Sequence, residues 1–264
     1  KLGLMAELRN AISQQQLKLH IQPQIALNSR QVLAGEVLVR WHHPRRGLLG
    51  PAEFLELAEQ MGVIYPLTQW VLEKAVMTLA ELAQQEIHCK IAVNISSKDL
   101  LQDELVDSLE LLLKRYKVQP SQLVLELKES ALVAEPVKAM RMLKHLAQLG
   151  VELALDDFGT GQASLSTLSQ LPVSSIKLDK TFLQNIPANQ RQTQLIQSVM
   201  QMAKTLKLGL ILEGVETDIQ RRFLHSLGAQ LMQGYYFSKP QPVAHWLTQL
   251  GQQHTNAVQQ LVTE

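Results

Sequence analysis

The strongest constraint on this chain is an alternation that runs almost its whole length. Short apolar runs of strand length recur at Leu17–Gln22, Val32–Trp41, Lys90–Ile95, Leu123–Leu127, Glu152–Asp156, Ser175–Leu178, Gly209–Leu212 and Leu231–Tyr235. Amphipathic stretches of helix length lie between most of them: Pro51–Met61, Leu67–Gln85, Leu100–Tyr116, Val137–Leu149, Arg191–Leu206 and Thr217–Leu227. Strands that alternate with helices pair in parallel through crossovers. Eight such strands in a chain of 264 residues predict an α/β fold of the (β/α)8, TIM-type barrel class. The first two runs break the rhythm. Only the turn Asn28-Ser29-Arg30 separates them, and a parallel pair needs a dozen or more residues of crossover. The barrel is therefore expected to contain one antiparallel strand near its N-terminus.

No linker, repeat or low-complexity tract interrupts the pattern, so residues 1–264 read as a single domain. Its amphipathic opening (Leu4, Leu8, Ile12) suggests a helix that continues from an upstream sensory or regulatory domain. Cys89 is the only cysteine, which rules out an internal disulfide and fits a reducing compartment; its expected role is that of a small buried apolar residue. No apolar run approaches the roughly 20 residues of a spanning helix, and the N-terminus lacks the order of a signal peptide. These features predict a cytoplasmic domain, although a longer protein could still be membrane-anchored. A net charge of +1 gives no global field for a nucleic-acid polymer.

Polar residues fall at a telling place. Glu36, Asn94, Glu126, Asp156, Lys177, Glu213 and Gln233 each lie in or at the end of a different strand, most of them flanked by apolar residues. The C-terminal strand ends of a barrel converge on one mouth, where active sites of this fold lie. A buried charge needs a partner or a metal. Any one of these residues alone could be a satisfied core ion pair; one on each of seven strands is a site. Glu36, Asn94, Glu126, Asp156, Asp157 and Glu213 offer only oxygen, which suits Mg²⁺ or Mn²⁺ rather than Zn²⁺. Five carboxylates exceed what one such ion takes. Two ions would relieve their repulsion and suit in-line phosphate displacement.

Adjacent strand residues face opposite sides, so Asp156 and Asp157 reach one site only if the strand ends there and bends. The glycines of Phe158-Gly159-Thr160-Gly161 are expected to supply that bend, with Asp156 bridging the ions and Asp157 on one of them. Lys177 and Asp179 share a strand face; the lysine could position or deprotonate a water, neutralise phosphate, or merely counter the carboxylates. Arg40 could grip a phosphate or form a rim salt bridge. His42 and His43 lack metal-ligand spacing and read as loop residues.

In its ordered motifs the chain resembles the EAL-domain family of cyclic-di-GMP phosphodiesterases. These are Gln22-Pro23, Glu36-Val37-Leu38-Val39-Arg40-Trp41, Asn94-Ile95-Ser96, Glu126-Leu127-Lys128-Glu129-Ser130, Leu155 through Gly161, Lys177-Leu178-Asp179, Glu213 through Thr217, and Gln233 through Phe237. The resemblance implies hydrolysis of cyclic di-GMP to linear pGpG with two Mg²⁺ or Mn²⁺ ions. It puts Glu36, Asn94, Glu126 and Asp156 on the first ion and Asp156, Asp157 and Glu213 on the second. Lys177 would meet the attacking water, and Glu129 would order the loop after Asp157. Glu216 would join the polar shell, and Gln22, Arg40, Asp179 and Gln233 would serve the substrate. A homodimer is a further family expectation.

Three departures from the family pattern stand out. Val37 replaces alanine and should point away from the site. Lys128 replaces threonine one residue from Glu129, with which it could form a new ion pair. Gln162-Ala163 replaces tyrosine-serine in the loop tied to activity and dimer coupling. Competing readings are a catalytically weak cyclic-di-GMP receptor, a glycoside hydrolase, and a scaffold. The retained carboxylates weigh against a receptor, and the excess of carboxylates with only 5% aromatic residues against a glycosidase. A scaffold would leave the buried charges unexplained.

Overall fold

The computed structural model describes residues 2–29, 31–160 and 165–263. Its strands are β1 (Leu17–Ala26), β2 (Val32–His43), β3 (Gly47–Leu49), β4 (Lys90–Ile95), β5 (Leu123–Lys128), β6 (Glu152–Phe158), β7 (Ser175–Leu178), β8 (Gly209–Leu212), β9 (Leu231–Met232) and β10 (Gln241–Pro242). The helices are α1 (Leu2–Ser13), α2 (Leu55–Gln60), α3 (Ile64–Gln84), α4 (Leu105–Tyr116), α5 (Pro136–Leu149), α6 (Leu165–Gln170), α7 (Gln190–Thr205), α8 (Asp218–Ser226) and α9 (Val243–Thr263). Strands β2, β4, β5, β6, β7, β8 and β9 pair in parallel in that order. β1 closes the barrel by pairing antiparallel with both β2 and β9, so it is the one reversed strand.

Side-chain alternation sorts the strands into two environments. Along β4, β5 and β6 the residues Ala92, Val124 and Ala154 form their own small apolar cluster in the barrel. Asn94, Glu126 and Asp156 stand two positions further on, on the same faces. The intervening Val93, Leu125 and Leu155 belong to the main core with α3, α4 and α5. The lumen is thus sealed by small apolar groups below a layer of polar ones. Val37 packs in the outer core, as alternation requires.

Local chemistry sets several boundaries. Asn189 caps α7 through Gln192 N, and Thr217 and Gln220 form a capping box on α8. α5 starts at Pro136 and ends at Gly150, which takes φ 99°.

Some expectations need correction. The stretch at 51–61 splits into a 3₁₀ turn at Pro51–Glu53 and α2, and the stretch at 100–116 into a 3₁₀ turn at Asp99–Leu101 and α4. β9 stops at Met232. His42 and His43 lie in β2, not in a loop. Buried His43 accepts at Nδ1 from Arg45 N (3.1 Å) and therefore donates from Nε2 to Glu7 of α1 (2.7 Å). Helix α9 escaped the periodicity reading altogether. Its buried Trp246 packs where Gly35 of β2 leaves room: a Cβ there would sit 2.9 Å from Trp246 Cζ2 and 2.4 Å from Ile21 Cγ2. Cys89 is buried, and burial pushes its thiol up to about 12. No helix among the described residues is long and apolar enough to cross a membrane. Arg30 and the loop positions Gly161, Gln162, Ala163 and Ser164 lie outside the described residues.

Candidate active site

The polar residues of β2, β4, β5, β6 and β7, with Glu213 just past β8 and Gln233 just past β9, meet at one end of the barrel. Lys177 is at the centre and is fully buried. Its Nζ lies 2.6 Å from Glu126 Oε2, 2.8 Å from Glu213 Oε1, 3.1 Å from Glu36 Oε2 and 3.3 Å from Asp156 Oδ1. An ammonium has three protons to donate. Four carboxylates compete for them, and Asp156 Oδ1 is left near Nζ without a hydrogen bond.

Charge around Nζ is unbalanced, and the acidities show it. Burial raises Glu126 well above the usual carboxylate range and Lys177 opposes that only in part, while Glu36 and Asp156 add to it. Burial likewise raises Asp156, against the pull of Lys177. Glu213 is pushed up to about 7 by burial, with Lys177 opposing and Glu36 and Asp156 reinforcing. Glu36 goes the other way: burial disfavours its charge, but Lys177, Gln233 and Asn94 outweigh it. Burial disfavours the charged form of Lys177 too, yet the surrounding carboxylates drive its pKa well above the ordinary lysine value. Lys177 is a fixed positive donor in this arrangement.

A ring of amides holds the carboxylates in place. Gln233 Nε2 donates to Glu36 Oε2 (2.6 Å) and lies 3.2 Å from Gln22 Oε1. Gln22 in turn donates to Ser238 O (3.1 Å). Asn94 Nδ2 donates to Glu36 Oε1 (2.8 Å), which leaves the amide oxygen for another partner. Buried Gln24 reaches Glu126 Oε1 at 3.4 Å. Sequence reasoning missed Gln24, although it follows Gln22 on the same face of β1 by period two. It also missed buried Asp99, which accepts from Ser96 N and Oγ (2.7 Å each) and Thr68 Oγ1 (3.0 Å). No local pattern marks that residue. A cavity of about 400 Å³ beside the mouth is lined by Glu36, Asn94, Ser96, Asp99, Lys128 and Asp156, among others.

The Asp156-Asp157 pair does converge, by a different route from the one expected. β6 runs on to Phe158, and Asp157 itself takes the left-handed conformation (φ 53°). The register with β7 shifts between Leu155 and Phe158. This bulge turns Asp157 back toward Asp156 and Glu213, so that one oxygen from each of the three lies within 4.8 Å of the others. The bend thus begins at the aspartate itself, and Gly159, with φ 92°, continues it.

Lys128 requires a second correction. Its partner is Asp157 Oδ2 at 2.7 Å, not the neighbouring Glu129, because it stands beside Asp156 in the β5–β6 register and faces the mouth. Glu129 is buried at the head of a 3₁₀ turn, Glu129–Leu132. Arg40 is half-buried with Nη1 on Val39 O (3.0 Å). Asp179 lies past the end of β7 and caps the next turn, accepting from Thr181 N (2.9 Å) and Thr181 Oγ1 (2.5 Å). Glu216 is exposed before α8, its backbone N–H held by Gln220 Oε1 (2.8 Å).

A closed α/β barrel with one reversed strand and an all-oxygen acidic mouth is the class of protein that this fold and site define. The family model for the EAL domain matches residues 5–240, and the chain belongs to that family. Cyclic di-GMP phosphodiesterase NbdA of Pseudomonas aeruginosa is 42% identical over 246 residues, covering 92% of this chain and 31% of that protein. The bifunctional diguanylate cyclase/cyclic di-GMP phosphodiesterase MucR of the same organism is 35% identical, covering 94% of this chain and 36% of MucR. The chain thus spans about a third of the length of these relatives. Among solved structures, the PaMucR phosphodiesterase in complex with c-di-GMP superposes with a TM-score of 0.87 at 34% identity, covering 92% of this chain and 99% of that one. The FimX EAL domain of Pseudomonas aeruginosa bound to c-di-GMP gives 0.83 at 27% identity, covering 90% and 96%.

Proposed function

We propose that this domain hydrolyses cyclic di-GMP to linear pGpG, using two Mg²⁺ or Mn²⁺ ions. The observation that carries the reading is the mouth itself: four carboxylates around a single buried ammonium, with Asp157 clustered beside Asp156 and Glu213 and Asn94 hydrogen-bonded to Glu36. The donors fit hard divalent ions. All are oxygens, Asp156 Oδ1 is buried without a hydrogen bond, and the acids left uncompensated by Lys177 are pushed toward protonation.

In this reading Glu36, Asn94, Glu126 and Asp156 hold one ion, and Asp156, Asp157 and Glu213 the other. Such ions supply charge neutralisation on the phosphate and a nucleophilic water for in-line displacement. The protein's own groups do the rest. Lys177, immobile and charged, keeps Glu36 and Glu126 at fixed positions and would meet the attacking water once the ions take over part of its carboxylates. Gln233 and Asn94 fix the rotation of the Glu36 carboxylate. Arg40, engaged among the described residues with a backbone carbonyl, has donors left to grip a phosphate oxygen. Gln22 and Asp179 serve the substrate at the rim. Glu129 supports the loop after Asp157, and Glu216 acts from outside the inner shell. The reading places the domain, residues 1–264, in the cytoplasm as a homodimer attached to an upstream regulatory domain.

One observation favours the second reading, a receptor that turns the dinucleotide over poorly: Lys128 holds Asp157. Incubating the pure protein with cyclic di-GMP and Mn²⁺ or Mg²⁺ separates the two. Hydrolysis that stops after exhaustive chelation and returns with either ion supports the phosphodiesterase. Tight binding without turnover supports the receptor, and full activity after chelation overturns the metal reading.

A further inference from the structure

The mouth contains two ammonium groups, and they differ in kind. Lys177 is fully buried and lies within 3.3 Å of four carboxylates. Lys128 has a side chain 62% exposed and, among the described residues, one ion-pair partner, Asp157 Oδ2 at 2.7 Å. That carboxylate is not a bystander. The left-handed backbone at Asp157 turns it toward Asp156 and Glu213, so that the three acids share one cluster; among the described residues, Lys177 pairs with Asp156 and Glu213 (3.3 and 2.8 Å) but forms no ion pair with Asp157. Lys128 comes from the neighbouring strand, in register with Asp156, on a stem long enough to reach over the cluster from solvent.

We propose that Lys128 is a tethered cation that occupies Asp157 until a divalent ion displaces it, and so sets the concentration at which the outer ion binds. The inference rests on the two-ion reading above. Lys177 cannot play this part, because four carboxylates and complete burial fix it. Lys128 can, because an exposed ion pair is weak and its ammonium has water to move into. The inner ligands Glu36 and Asn94 do not touch Lys128, so their ion should be indifferent to it. Asp156 keeps its fixed neighbour Lys177, whereas Asp157 must be vacated by a lysine that can leave. A chain with this lysine should be saturated by its inner ion well before its outer one.

The test uses the metal alone. Mn²⁺ is titrated into the chelator-treated protein without nucleotide, with free ion followed by electron paramagnetic resonance, for wild type, Lys128→Met, Lys128→Arg and Asp157→Asn. Lys128→Met keeps the stem and removes the charge. The weaker Mn²⁺ should then bind about tenfold more tightly, as a competitor and a nearby like charge are both removed. The tighter Mn²⁺ should be unchanged, Lys128→Arg should stay close to wild type, and Asp157→Asn should weaken the outer ion alone. Equal outer affinity in wild type and Lys128→Met, with both ions bound, overturns this inference and leaves the two-ion reading standing. Failure of wild type to bind any Mn²⁺ overturns both.

Discussion

Glu213 gives the most direct measure of what the acidic mouth costs the fold. Its carboxyl holds a proton up to about 7 in the folded chain, against an ordinary value of 4.5, because burial and the charges of Glu36 and Asp156 outweigh Lys177. A group whose pKa is raised on folding contributes stability that is complete below pH 4.5 and lost as pH rises through about 7. The gap corresponds to on the order of 3 kcal/mol at pH 8. Glu213→Gln keeps an oxygen for Lys177 Nζ, now 2.8 Å away, and removes the charge for good. Without metal at pH 8, the variant should therefore melt higher than wild type, by roughly 6–12 °C. At pH 4.5 the two should coincide. Added Mn²⁺ should reverse the order, since ion binding stabilises wild type by mass action and the variant has lost a ligand. Differential scanning calorimetry from pH 4.5 to 8.5, with chelator and with Mn²⁺, reads all of this. A metal-free variant no more stable than wild type at pH 8 would refute the view that the site is strained by uncompensated carboxylates.

Three further outcomes are expected. Asp157→Asn should cut turnover by about 100-fold or more with cyclic di-GMP binding retained, whereas Glu36→Ala should harm both; calorimetry paired with single-turnover rates checks this, and the opposite split reverses the assignment of ligands. Lys177→Met should lose about 3–5 kcal/mol of metal-free stability at pH 7 by stranding buried carboxylates, a loss that chemical denaturation should show shrinking as Glu126, Asp156 and Glu213 take up protons in acid. Gly234→Ala should destabilise the fold by roughly 2–4 kcal/mol, because its Cβ would lie 2.1 Å from Val215 O and 2.4 Å from Val215 N; an unchanged denaturation midpoint would show that this backbone yields.

The barrel and its mouth were legible because both are written in local periodicity. A charge embedded in a strand-length apolar run, as in Leu125-Glu126-Leu127, announces itself, and a three-residue turn announces an antiparallel pair. What stayed hidden depends on partners distant in sequence or on single dihedral angles. Nothing in Leu155-Asp156-Asp157-Phe158 says that the second aspartate adopts φ 53°. The choice of Lys128 between Glu129 and Asp157 is settled by strand register, which a single strand does not encode. Asp99 is buried through Thr68 of α3, a contact across 31 positions. Helix α9 is legible only beside Gly35, whose missing side chain makes room for Trp246.

The reversal of β1 changes which way the chain enters the molecule. In an all-parallel barrel the first strand starts at the floor, remote from the chemistry. Here β1 starts at the rim, since Leu17 pairs with Trp41, beyond Glu36 on β2. Helix α1, which leads into it, grips that same overhanging ribbon: Glu7 holds His43 and Arg45, and Gln16 receives the Trp41 indole N–H at 3.1 Å. Between those anchors and Glu36 on the same strand stands Arg40. Any displacement of α1 would thus be felt at the strand that carries Glu36 and Arg40, both through these polar anchors and through Leu4, Leu8 and Ala11, which belong to the main core.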